Sequence, residues 1–294
     1  MYNRVTQRSI TATSLAGLQA NLDRVGRLQQ QLSSGRLISV PSDSPTGTVS
    51  ALQIRSEIRA NEQYVRNAED GIGWLSSIDG ALTTSLEGVQ RVRALTLQGM
   101  STGGNDAQSR AAMATELKAI REGLIQIANT KYLDRPVFGG ATGDPVAYVA
   151  AGTFTADTTP VMRTVGDNVD LRVDYSGDEV FGTGTNQLFT VMADIAYHLE
   201  TDPTQLDGDL IRLDKAKATM QTSVADIGAR YGRMLTVRQA AEDRIITLKS
   251  SQSEVENIDL PKTIMELQMQ QVSYQAALAA TAKAIQPSLL DFLR

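Results

Sequence analysis

The stretch SLAGLQANLDRVGRLQQQLSSGRLISVPSDSP, Ser14 to Pro45, decides the fold. Leu15, Leu18, Leu22, Val25 and Leu32 recur at alternating steps of three and four, with Gln29 in the vacant slot, which is the rhythm of a heptad seam. The spacing predicts a helix over 7–34, roughly 40 Å long at 1.5 Å per residue, whose stripe is too narrow to stand without a partner helix. Ser34-Gly35 stops it, and Val40-Pro41-Ser42-Asp43-Ser44-Pro45 follows as a link whose prolines forbid continuous helix. Ser44 then caps a new helix, with Pro45 at the first helical position, where a missing N–H costs nothing.

Outward from that link, Ile54, Ile58, Val65, Ala68, Ile72, Leu75, Leu82, Leu86 and Val89 keep the same rhythm and predict one long helix ending near Gly99. Glu62/Arg66 and Glu87/Arg91 add acid-before-base pairs one turn apart. Ser101-Thr-Gly-Gly-Asn105 turns the chain into a third helix striped by Met113, Leu117, Ile120, Leu124 and Ile127, and so short a loop makes the two antiparallel neighbours. Between about Pro136 and Thr185 helical rhythm vanishes and Gly and Thr become dense. There Val169, Leu171, Val173 and Tyr175 alternate with Asp170, Arg172 and Asp174, the pattern of a half-buried strand.

Helix resumes through Leu188, Met192, Ile195 and Leu199, breaks at Asp202-Pro203, and restarts near Asp207 to run through Val224, Ile227, Tyr231, Met234, Ala241, Ile245, Leu248 and Val255. After Asp259-Leu-Pro261 a last seam follows, Ile264, Leu267, Tyr274, Leu278 and Ile285, with Gln271 and Thr281 in its polar slots. The two ends of the chain therefore match: each is a narrow-striped helix isolated by a proline-bearing link.

Together these readings predict a mainly α chain with a small β-rich insertion. The expected architecture is an elongated antiparallel bundle of long helices, coiled-coil in character, with the N- and C-terminal helices pairing and the β domain at the outer end. Residues 1–40 would form the first terminal helix and its link, 41–136 a long helical hairpin, and 137–185 the β insertion. The returning helices would occupy 186–258 and the last terminal helix 259–294.

The 294 residues carry a formal charge of −5, no cysteine, one histidine and one tryptophan. Absent cysteines exclude disulfides, thiolate nucleophiles and Cys-ligated zinc. An acidic chain without a basic block offers no footprint for nucleic acid. No run approaches the ~18 apolar residues of a membrane span, and MYNRVTQRSITATS at the start lacks the apolar core of a cleaved signal peptide. His198 has no second His or Cys to share a metal with. Gly139-Gly140-Ala-Thr-Gly143 and Gly182-Thr-Gly184 lack the Lys-Ser/Thr of a phosphate loop, and Asp167, Asp170, Asp174 and Asp178 fail the EF-hand spacing. No catalytic, cofactor-binding or metal-binding residue is expected, and so neither an enzyme nor a cofactor.

Five stretches carry a resemblance: LSSGRLISVPSDSPTGTVSAL (Leu32 to Leu52), NAEDGIGWLSSIDGALTTSLEGVQRVRALTLQG (Asn67 to Gly99), NDAQSRAAMATELKAIREGLIQIANTKYLDRPVFGG (Asn105 to Gly140), DLPKTIMELQMQQVSYQAAL (Asp259 to Leu278) and SLLDFL (Ser288 to Leu293). In this order they resemble the flagellin-like axial proteins of the bacterial flagellum. Pro41 and Pro45 sit where the members at the hook-filament junction carry proline, and flagellins usually carry an acidic and alanine-rich run there.

The resemblance implies a structural adaptor, exported without a cleaved signal peptide by the flagellar type III apparatus and located outside the cell at the hook-filament junction. Implied partners are hook-associated protein 1 on the hook side, flagellin on the filament side, neighbouring copies of the chain, and an export chaperone before secretion. It also implies terminal helices that fold on assembly. The assembly contacts expected on that basis are Leu15, Leu18, Leu22, Val25, Leu32, Ile264, Leu267, Tyr274, Leu278, Ile285, Leu289 and Phe292. Flagellin itself is the alternative within the resemblance, and a coiled-coil effector exported by a type III apparatus is the alternative from another class.

Overall fold

The computed structural model describes residues 7–101 and 106–285. Helix α1 (Gln7–Ser34) is followed by α2 (Pro45–Met100) and α3 (Ala107–Ala128), then by the hairpins β1 (Lys131–Tyr132) with β2 (Arg135–Pro136) and β3 (Met162–Gly166) with β4 (Val169–Arg172). A short α4 (Gly177–Phe181), α5 (Leu188–Thr201), α6 (Leu206–Glu256) and α7 (Leu260–Ile285) complete the order. Both hairpins are antiparallel, and neither extends beyond two strands. The fold is a bundle of long helices with two small sheets, as the heptad rhythm predicts.

Local chemistry sets the helix ends. Gly35 takes a left-handed conformation (φ 71°) and its N–H closes on the Gln31 carbonyl at 2.8 Å, ending α1 where a side chain would be strained. The Ser44 hydroxyl accepts the Gly47 N–H at 3.1 Å and so caps α2. The Asp106 carboxylate caps α3 by accepting the Ser109 N–H at 2.7 Å. Pro203 breaks the chain between α5 and α6 within a single 3₁₀ turn.

The chain divides into two compact units: residues 1–59 with 245–294, and residues 60–244. In the second unit Ala68, Leu75, Leu82, Val89 and Thr96 of α2 are buried at a strict spacing of seven, and so are Leu206, Leu213, Met220, Ile227 and Met234 of α6. A seven-residue period keeps one seam on the partner along the whole length. Ser85 and Thr96 enter this seam at no polar cost, because their hydroxyls donate to the carbonyls of Ala81 and Val92 at 2.8 Å. Ion pairs Arg93–Asp214 (2.7 Å) and Arg91–Glu116 (2.6 Å) tie α2 to α6 and to α3.

An aromatic cluster of Phe138, Tyr148, Phe181 and Phe189, with ring centroids 5.1–5.7 Å apart, anchors the irregular segment to α5. The β3–β4 hairpin lies on α2 through polar contacts: Tyr64 donates to Asp167 (2.8 Å), Asn67 to the Thr164 carbonyl (2.6 Å), and Arg163 pairs with Asp70 (2.6 Å).

One strand expectation is corrected. The alternation over 169–175 breaks after Arg172, where β4 ends, and Asp174, expected on the solvent face, is fully buried. Its carboxylate accepts the Val161 N–H at 2.9 Å and pairs with Arg172 at 3.0 Å, so it fastens the hairpin from inside.

Candidate assembly interface

The unit formed by residues 1–59 and 245–294 contains the antiparallel pair α1 and α7. Apart from Gln31 beside its end, the half-buried positions of α1 fall on Ser14, Leu18, Asn21, Val25, Leu28 and Leu32, and the half-buried or buried ones of α7 on Thr263, Leu267, Gln270, Tyr274, Ala277 and Thr281. Both series step by four and three, the seam spacing of a coiled coil. At its centre the Gln270 amide donates to the Asn21 side-chain oxygen at 3.1 Å, a polar pair that fixes register and lowers stability relative to an apolar one.

The two links close the end of the pair. The Leu37 N–H donates to the Glu256 carbonyl at 2.7 Å and the Ile258 N–H to the Gly35 carbonyl at 3.2 Å, with Arg36 and Asn257 paired as an antiparallel bridge. Asp259 caps α7 by accepting the Lys262 N–H at 3.2 Å, and the Asp43 carboxylate accepts the Ser39 and Val40 N–H groups at 2.9 and 3.0 Å. Those two backbone bonds hold the Asp43 carboxyl below the usual carboxylate range. Glu256, only 6% exposed, pairs with Arg55 at 2.9 Å, and that hydrogen bond holds its carboxyl low against the opposing cost of burial.

This unit is packed in reverse of the usual order. Small or polar residues, Ser14, Asn21, Thr263, Gln270, Ala277 and Thr281, fill half of the seam. Large apolar side chains stand outside it: Leu15, Leu22, Leu260, Ile264, Met265, Met269, Val272 and Leu278 are 43–68% exposed. Met265, Met269, Val272, Ala276 and Ala279 step by four and three along the side of α7 opposite its seam, all exposed. Seven-residue spacing on a second face is a second heptad stripe without an occupant in the monomer. The apolar residues buried in this unit, among those described, are Ala51, Ile58 and Leu248.

Against this geometry the expected contacts divide. Leu18, Val25, Leu32, Leu267 and Tyr274 line the α1–α7 seam; Leu15, Leu22, Ile264 and Leu278 face away from it. The seam assignment is corrected accordingly: Ser14, Asn21 and Leu28 replace Leu15, Leu22 and Gln29, Gln270 replaces Gln271, and Thr263 and Ala277 replace Ile264 and Leu278. Apolar-in reasoning draws the stripe through the largest side chains, and here they are turned outward. The Ile285 side chain, Leu289 and Phe292 lie outside the described residues.

The histidine and the acids of the irregular segment have partners within the fold. His198 Nδ1 lies 2.6 Å from the buried Asp209 carboxylate, which also pairs with Arg212; Arg212 reaches Asp194 at 2.9 Å and the Thr185 carbonyl at 3.0 Å. The group joins α5 to α6. Asp167 accepts from Tyr64, Asp170 from Thr164 and Asp178 from Ser176, so Asp167 ties its hairpin to α2 and the other two serve their own loops. Gly140 takes a left-handed φ of 59°, and a Cβ there would collide with the Asp157 carbonyl, so a turn explains this glycine.

Residues 5–139 match the family of the bacterial flagellin N-terminal helical region. A flagellin of Halalkalibacterium halodurans is 23% identical over 93% of this chain and 93% of its own length. The flagellar hook-associated protein 3 of Salmonella typhimurium is 22% identical over 93% of this chain and 94% of its own. Among solved structures, a flagellar hook-associated protein 3 of Legionella pneumophila superposes with a TM-score of 0.62 at 14% identity, covering 69% of this chain and 98% of that one. With the flagellin helical region matched over residues 5–139 and near full-length matches to flagellins and hook-associated proteins, the chain is similar to the flagellin-like proteins of the bacterial flagellum.

Proposed function

We propose that this chain is the adaptor that joins the hook side of the bacterial flagellum to the flagellin filament, and that α1 and α7 carry its polymer contacts. The observation that carries the reading is the divided packing of these two helices, with small or polar side chains in half of the seam and large apolar ones exposed outside it. Such a pair gains little from folding alone, since half-buried seam residues must offset an ordering cost of about 1–2 kcal/mol per residue. Covered by neighbouring subunits, the outer stripe supplies the missing burial, so folding of this unit is completed by assembly.

On this reading residues 137–185 face outward. The partners are the hook-side junction protein, hook-associated protein 1, and flagellin, with an export chaperone covering the terminal helices before secretion by the flagellar type III route. Deletion of the gene tests the proposal: hooks without filaments, with flagellin shed into the medium, are expected, and normal filaments on the deletion strain contradict it. Near full-length alignment to flagellins favours a second reading, a filament subunit. Purified chain added to filament seeds separates the two, because a filament subunit elongates them without limit and an adaptor does not.

A further inference from the structure

The β1–β2 turn contains the least expected backbone conformation among the described residues. Leu133 and Asp134 form the two-residue loop between Tyr132 and Arg135, both at positive φ, 47° and 62°. Aspartate tolerates that region; leucine does so rarely, and a hairpin of this length normally takes Asn-Gly or Asp-Gly. Leu133 is also 72% exposed, the highest value among the exposed large apolar residues described. Neither backbone preference nor burial accounts for a leucine here.

The turn is nevertheless rigidly seated. The Tyr132 ring meets the buried Trp74 edge-on at 5.8 Å, the Arg135 guanidinium lies 5.6 Å above the Trp74 ring, and the Val137 N–H closes on the Thr130 carbonyl at 2.9 Å. A strained residue held by surroundings that over-determine it points to function. Leu133 is thus an apolar knob presented on a fixed base.

The same unit has a matching notch. Between α2 and α6 a cavity of about 230 Å³ is lined by Ser76, Asp79, Ile227, Gly228 and Tyr231. Its wall is low because a Cβ on Gly228 would meet nothing within 4 Å. Charge agrees: Lys131 and Arg135 flank the knob against the single acid Asp134, and Asp79 stands at the notch. Knob and notch are different patches of one chain, so their union is a head-to-tail contact, which propagates around a ring or along a tube rather than closing as a dimer.

We propose that Leu133 of one copy seats in the Ile227–Gly228–Tyr231 notch of a neighbouring copy. The inference rests on the axial role proposed above and adds to it a lateral contact outside α1 and α7. It explains the strain, because a residue kept for an interface need not suit the free turn.

Because the chain has no cysteine, introduced thiols report only on themselves. The L133C/G228C double variant, oxidised with copper phenanthroline in isolated intact flagella, is expected to give a ladder of covalent multimers, and each single variant none. A double variant that is incorporated and yields no ladder overturns the inference. So does L133C labelled with benzophenone maleimide, if its photoadducts are with another protein. Absence of the unmodified chain from flagella defeats the underlying reading instead, and an antibody against the wild type distinguishes the two failures.

Two further variants guard against loss by misfolding. Leu133→Asn relieves the turn, and Gly228→Leu fills the notch while raising helix propensity. Each is expected to melt no lower than wild type and to be retained in flagella about tenfold less, the effect of losing a buried apolar anchor. Wild-type retention of both overturns the proposal.

Discussion

The two units of this chain use the same heptad grammar to opposite ends. In residues 60–244 the seam positions of α2 and α6 hold Leu75, Leu82, Val89, Leu213, Met220 and Ile227, all essentially without solvent exposure. In the unit containing α1 and α7 the seam holds Asn21, Gln270 and Thr281, and the large apolar residues look outward. Full burial of a leucine stabilises by about 1.5–3 kcal/mol, so the first pattern makes a unit that stands alone and the second withholds that gain until something covers it. Spacing makes a helix pair possible; which side chains occupy the spacing decides whether the pair is finished.

The largest effect that sharpens this contrast is expected from Leu82→Ala. It empties a fully buried seam position, should cost about 2–5 kcal/mol, and should lower the main thermal transition. The matching truncation at the exposed Leu22 should change that transition by no more than about 0.5 kcal/mol. Equal losses at the two positions would erase the distinction.

Next comes Met265→Glu with Met269→Glu on the outer stripe of α7. Both residues are more than 60% exposed, so the monomer should melt within about 0.5 kcal/mol of wild type while incorporation into flagella, scored by immunoblot, is lost. Undiminished incorporation would mean that the stripe covers nothing.

A smaller gain is expected from Asn21→Leu. Made together with Gln270→Leu, so that neither polar partner is left unpaired, it should stabilise the α1–α7 pair by about 1 kcal/mol and loosen its register, which cysteine cross-linking across the seam would read.

The smallest effect is a pH dependence at the links. The Glu256 carboxyl is held low by Arg55, so its contribution is complete above its ordinary value, about pH 4.5, and is lost as pH falls through the lowered one. Amide exchange at 35–37 and 256–258 should accelerate on acidification, and Glu256→Gln should flatten that profile.

Most helices were legible because their signals are local. The spacing over 7–34 coincides with α1, Ser44-Pro45 marks the start of α2, and Asp202-Pro203 marks the break before α6. Three features were not legible, each for a physical reason. Choosing between adjacent stripes on α1 and α7 assumes that the largest apolar residues face the partner, and Leu15, Ile264 and Leu278 do the opposite. The burial of Asp174 depends on the Val161 N–H arriving from the other side of the hairpin, which alternation along one strand does not encode. The β1–β2 turn was missed because Leu133-Asp134 lacks the Asn-Gly signal that normally announces a two-residue hairpin. The assembly surface was legible as two isolated striped helices, but not which faces of them stay open.

Hydrogen exchange on the free full-length chain, compared with the chain in isolated flagella, tests the central claim most directly. Amides of α1 and α7 should exchange orders of magnitude faster than those of 75–95 in the free chain and become protected in the flagellum. Protection of both terminal helices in the free chain equal to that of the 60–244 core would contradict the account.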